Sequence, residues 1–154
     1  MAVETHFEGE VWGLHIFDED HVITCGDDNR VMIFDTKAHK FVQGGKVSDK
    51  DKRKNPDKKS LASTMSKLPP NKQARAVAAS MTNNHLVICN NLGKVSIRLL
   101  DNFDSKVTSL KHPQHYCEVA KYSPDESHLA IGSHDNHVYI YEVKGEEYHL
   151  VAKD

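Results

Sequence analysis

Apolar residues in this chain fall in short runs of β-branched and aromatic type, separated by turns rich in Asp, Asn and Gly. Glu10-Val11-Trp12-Gly13-Leu14-His15-Ile16-Phe17 is followed by the acidic turn Asp18-Glu19-Asp20 and the run His21-Val22-Ile23-Thr24-Cys25. Gly26-Asp27-Asp28-Asn29 then leads into Arg30-Val31-Met32-Ile33-Phe34-Asp35, and Lys40-Phe41-Val42-Gln43 forms a fourth, more polar run. Runs of this length bounded by turn formers predict four antiparallel strands joined as a meander. Long helical periodicity is absent, so the chain reads as all-β.

The block from the second run to the third occurs three times in fixed register. His21, His85 and His128 open the copies, separated by 64 and then 43 residues; Val31, Val95, Val138 and Ile33, Ile97, Ile140 repeat both spacings. A period near 43 lies within the roughly 40–45 residues of a four-stranded propeller blade. The expected architecture is three four-stranded blades of an incomplete β-propeller, at about 8–45, 73–111 and 112–154. The middle copy is degenerate, with Leu92 where the outer copies carry Asp28 and Asp135, and Arg98 where they carry Phe34 and Tyr141. Three blades are too few to close a ring of about four to eight. The chain is therefore expected to be part of a longer protein or to complete itself by self-association.

The longer first spacing locates an insertion at about 46–72. It holds nine Lys/Arg and three Asp, a net +6, on a chain whose total is −2. A basic loop on an acidic body reads either as a solvated, disordered loop or as a contact for an anionic partner, and in the second reading Lys50, Lys52, Arg53, Lys54, Lys58 and Lys59 are its candidate residues. Exposed charges contribute roughly 0.5–1 kcal/mol each, so the loop supplies about 3–6 kcal/mol. Association costs at least about 4 kcal/mol, and the loop thus steers a partner rather than holding it. The absence of Phe, Tyr and Trp from 46–72 argues against single-stranded nucleic acid, which is bound by stacking. Within the insertion, Ser60 to Leu68 fits a short helix with Leu61, Met65 and Leu68 on one face.

Other chemistry finds little support. Eleven histidines invite a zinc reading, but His21, His85 and His128 recur as strand openers, and His134 and His137 fall in a turn. Asp27-Asp28 reads as part of a turn, and no phosphate loop, nucleophile elbow or His-Glu-x-x-His pattern is present. No enzyme activity, metal or cofactor is expected. Cys25, Cys89 and Cys117 lie in apolar runs and read as small buried thiols of a reducing, cytoplasmic compartment. No run of about 18 apolar residues offers a membrane span.

The stretch Ser133-His134-Asp135-Asn136-His137-Val138-Tyr139-Ile140-Tyr141, preceded by Tyr122-Ser123-Pro124-Asp125, resembles a WD40 blade. The resemblance implies a structural hydrogen-bond set in each blade: His112, Ser133, Asp135 and Tyr141 in the third, and His6, Asp28 and Phe34 in the first, with Gly26 at its Ser/Thr position. Gly9-Glu10-Val11-Trp12-Gly13-Leu14 and Leu129-Ala130-Ile131-Gly132-Ser133-His134-Asp135-Asn136 are similar to the echinoderm microtubule-associated-protein-like group. That resemblance covers roughly residues 5–45 and 75–154. It implies a non-catalytic, cytoskeletal scaffold that binds tubulin or microtubules. A general WD40 adaptor of another protein complex is the alternative, and an RNA-processing module a more distant one.

Overall fold

The computed structural model describes residue 6, residues 9–46 and residues 73–154. The six basic residues Lys50, Lys52, Arg53, Lys54, Lys58 and Lys59 and the helix expected at 60–68 lie outside the described residues. Among the described residues every regular element is a strand: β1 Val11–Ile16, β2 His21–Gly26, β3 Arg30–Asp35, β4 Lys40–Lys46, β5 Ala74–Ser80, β6 His85–Asn90, β7 Val95–Leu99, β8 Lys106–Leu110, β9 Cys117–Tyr122, β10 His128–Ser133, β11 His137–Lys144 and β12 Glu147–Lys153.

Consecutive strands pair antiparallel in three four-stranded sheets, β1-β2-β3-β4, β5-β6-β7-β8 and β9-β10-β11-β12. The first strands of the sheets lie side by side, β5 between β1 and β9, along an open cleft that is the channel of the incomplete propeller. The sheets do not close on one another, and the architecture is an incomplete propeller.

The repeat in the sequence is a repeat of register. Cys25 faces Val31, Cys89 faces Val95, and Gly132 faces Val138, at the same rung of three hairpins. The turn just before each Val holds a left-handed residue: Asn29 (φ 55°), Gly93 (φ 77°) and Asn136 (φ 65°). Gly and Asn are the residues that adopt this conformation at least cost. Past each repeated Ile the third and fourth strands slip by one residue, at Ile33/Phe34, Ile97/Arg98 and Ile140/Tyr141. Such bulges raise local twist, as stacked blades require.

Two apolar layers hold the blades together. Ile23, Cys25, Val31 and Ile33 of the first sheet pack on Val77, Ala79, Leu86 and Ile88 of the second. Val87, Cys89, Val95 and Ile97 on the second sheet's other face pack on Leu129, Ile131, Tyr139 and Tyr141 of the third. Burying a Val, Ile or Leu side chain stabilises by about 1.5–3 kcal/mol, so these layers dominate the stability. The middle sheet is covered on both faces, which explains why β5 (Ala74-Arg75-Ala76-Val77-Ala78-Ala79-Ser80) shows no polar alternation. It also explains the buried Arg98, whose Nη1 donates to the Phe103 carbonyl (2.7 Å).

The outer blades each keep one bare face. Val31 and Val95 are fully buried, whereas Val138 is 47% exposed because no further sheet covers it. Val119 and Val151 beside it are exposed, as are Leu14 and Ile16 on the first blade.

Candidate protein-interaction face

All three first strands start at the same end of the channel, and the turns between second and third strands gather there. In the first blade His6 bridges two groups on this face. Its Nδ1 lies 2.8 Å from Asp28 Oδ1 and its Nε2 3.0 Å from Thr24 Oγ1. Asp28 accepts at Nδ1, so in neutral His6 that nitrogen carries the proton and Nε2 accepts from the Thr24 hydroxyl. The same carboxylate caps its turn by accepting from the Arg30 N–H (3.0 Å). Phe34 lies outside this set and packs edge-on against Phe41 at 5.8 Å.

In the third blade Asp135 is the hub. Its carboxylate accepts from the Gln114 N–H (3.0 Å), the His137 N–H (3.2 Å) and the Tyr139 hydroxyl (2.7 Å). Burial alone would raise this carboxyl, but those donors, with Ser133, outweigh it and hold it well below the usual carboxylate range. The Ser133 hydroxyl donates to the His115 carbonyl (3.2 Å). His112 stands apart, 3.2 Å from the Tyr141 hydroxyl. The structure thus brings Ser133 and Asp135 together with Tyr139, while His112 and Tyr141 form a separate pair.

The middle blade lacks an Asp at this turn, and Asn90 closes it instead. Its side-chain oxygen accepts from the Leu92 and Lys94 N–H groups at 3.0 and 2.9 Å.

Between β1, β5 and β9 runs an open cleft of about 330 Å³, lined by Leu14, Ile16, Val77, Val119 and Lys121 among others. At its mouth the Arg75 guanidinium carbon lies 3.9 Å from the centre of the Trp12 ring and 5.6 Å from that of Tyr116. The Tyr116 ring in turn stacks on His134 at 3.9 Å. The carboxylates of the Asp27-Asp28 turn are each engaged, Asp27 accepting from the Trp12 indole N–H (2.6 Å) and the Glu10 N–H (3.1 Å). Cys25, Cys89 and Cys117 are free and buried, and burial pushes the Cys25 thiol up to about 12. Among the described residues no group of three or more His, Cys, Asp or Glu is arranged to hold a metal ion.

Thr24, Tyr139, Gln114 and Arg75 are the residues of this face that the repeat pattern does not reveal. Thr24 carries one signal, as the only hydroxyl in β2. Gln114 acts through its backbone, and Arg75 reaches its aromatic neighbours only through the stacking of separate blades.

Meandering four-stranded sheets, recurrent left-handed turns and Asp-centred clasps define the chain as WD40 repeat blades. The chain belongs to that family: the model for the WD domain, G-beta repeat, matches residues 2–35 and 95–142. The match leaves out β4, the insertion, β5 and β6 of the middle blade, and β12.

Over 90% of its length the chain is 36% identical to the ciliary WD repeat-containing protein ctxp80 of Euplotoides octocarinatus. Over 98% it is 29% identical to the 77 kDa echinoderm microtubule-associated protein of Strongylocentrotus purpuratus. Over 94% it is 29% identical to echinoderm microtubule-associated protein-like 1 of Homo sapiens. It spans 19%, 19% and 15% of those relatives, respectively.

Proposed function

We propose that the chain contributes blades to a longer, non-catalytic WD40 scaffold of the cytoplasm and cytoskeleton whose partner is tubulin or the microtubule. The observation that carries this reading is the similarity of nearly the whole chain to proteins named microtubule-associated. The bare apolar faces on the outer blades support its place in a larger propeller, since such faces favour being covered. Lys50, Lys52, Arg53, Lys54, Lys58 and Lys59 steer an anionic partner toward the blades, and His6, Asp28, Phe34, His112, Ser133, Asp135 and Tyr141 keep the blades in shape.

Co-sedimentation with microtubules tests the reading, run with and without residues 46–72 across a salt series. Pelleting at low salt that weakens without the insertion is expected. No pelleting at any salt, by this chain or by a longer parent carrying it, sinks the assignment. A general adaptor role is the second reading, since the Euplotoides relative is named only as a ciliary WD repeat-containing protein. In that case affinity capture recovers a protein complex without tubulin.

A further inference from the structure

We infer that the Trp12–Arg75–Tyr116 stack at the channel mouth is a docking site for a partner protein segment that presents a carboxylate side chain. The stack draws one residue from each blade: Trp12 from β1, Arg75 from β5, and Tyr116 from just before β9. Trp12 is fixed by its indole N–H bond to Asp27, yet it remains 43% exposed, so its ring is held and accessible at once. Two aromatic rings beside the guanidinium restrict its orientation, which lowers the entropy lost when it captures a planar group.

Arg75 is unmatched in charge. Among the described residues no carboxylate lies within ion-pair distance of it, and its buried Nε–H has no hydrogen-bond partner. The nearby acids are otherwise engaged. Asp27 serves Trp12 and Glu10, Asp135 serves Tyr139 and two turn amides, and Glu118 lies 3.4 Å from His134. A guanidinium without a counter-ion is matched by a carboxylate, which accepts two parallel N–H bonds from it. Trp, Tyr and Arg clustered at the centre of a surface are also the residues that dominate protein–protein binding energy. The occupant is therefore an Asp- or Glu-bearing peptide segment laid across the channel mouth.

Trp12 is the only tryptophan of the chain, and its emission reports on this site alone. The experiment titrates the 154-residue chain with an oligoglutamate peptide of about ten residues. Oligoglutamine and a single-stranded DNA oligonucleotide serve as controls. Oligoglutamate is expected to change Trp12 emission saturably, and oligoglutamine is not. Arg75→Gln weakens the binding at least about tenfold, since hydrogen bonds to charged groups contribute about 1.5–3 kcal/mol. Arg75→Lys keeps the charge without the planar fork and falls between the two. If Arg75→Gln loses its far-UV circular dichroism, the Lys variant carries the comparison.

Neutralising the six basic residues at 50–59 lowers the apparent affinity but leaves the end-point emission change intact. An unchanged affinity in both Arg75 variants, an equal response to oligoglutamine, or no response at saturating oligoglutamate overturns the inference. A larger response to the oligonucleotide, also dependent on Arg75, overturns the assignment to a protein segment. The inference stands apart from the microtubule reading. No saturable oligoglutamate response in a chain that still pellets with microtubules removes this site alone, and an Arg75-dependent Trp12 response in a chain that never pellets with microtubules removes that reading alone.

Discussion

The Tyr139 hydroxyl donates to Asp135 Oδ2 across 2.7 Å, joining a third strand to the turn that precedes it. Burial, and after it this bond, raise the Tyr139 phenol to about 12. Asp135 also accepts from two backbone N–H groups, those of Gln114 and His137. Tyr139→Phe is expected to cost about 1 kcal/mol by urea unfolding, and Asp135→Ala about 2–3 kcal/mol, because it strands several donors. Equal costs would mean that the backbone amides contribute nothing. The depressed Asp135 carboxyl contributes stability that is complete above its unfolded value of about 3.8 and is lost as pH falls through the lower folded value.

The repeated valines provide an internal comparison. Val31→Ala and Val95→Ala each empty a fully packed site and should cost about 2 kcal/mol. Val138→Ala, at the same register on a bare face, should cost less than about 0.5 kcal/mol. Thermal or urea unfolding of the three variants checks this. A large loss at Val138 would show that the third blade's outer face is covered in solution.

Acid should loosen the contact between the second and third blades. His85 is buried with Nδ1 2.8 Å from the Tyr148 hydroxyl, itself 2.6 Å from that of Tyr122. Burial lowers the His85 imidazole below 6.5, opposed by Glu146, so it is neutral in the fold where the unfolded chain would be protonated. The sign follows: stability is complete above about 6.5 and declines as pH falls from there. Urea midpoints between pH 7.5 and 5 should fall in the wild type and fall less steeply in His85→Gln. Parallel curves would remove His85 as the cause.

Gly13 lets β1 approach β5. A Cβ there would meet Cys25 Sγ at 2.5 Å, the Arg75 carbonyl oxygen at 3.2 Å and Ala76 Cα at 3.3 Å. Gly13→Ala should cost about 1–3 kcal/mol through overpacking. Adding Cys25→Ala should recover part of this, since the thiol is the nearest obstacle while the two backbone atoms remain. A double-mutant cycle with no coupling would place the strain at the backbone alone. Because the change pushes β1 from β5, Trp12 emission should shift as the ring parts from Arg75.

Much of the fold was legible in the sequence because it is local. A strand needs only alternation and flanking turn formers, so the runs around Val22, Val31, His128 and Val138 could be placed directly. The equal spacing of three Val and three Ile positions implied equal register, and the left-handed residues and bulges repeat with it. The candidate face was less legible. Gly26 holds the Ser/Thr position of the first blade, while it is Thr24 that meets His6; the two differ by one turn of strand alternation, which periodicity cannot distinguish. Tyr139 and Tyr141 share a face of one strand, and only the position of the clasp decides which of them Asp135 meets.

The sequence by itself determined an all-β chain of repeated four-stranded units, with their turns and shared register, and a basic stretch after the first. Each of these follows from residues near one another, whose propensities and spacing suffice. Only the tertiary structure decided that Val138 is bare while Val31 and Val95 are buried, and that Arg75 lies beside Trp12 and Tyr116. Identical side chains in identical strands differ here because the neighbouring sheet, not the strand, sets burial. Residues 41 and 63 positions from Arg75 become its neighbours because stacked sheets bring their first strands together around one channel.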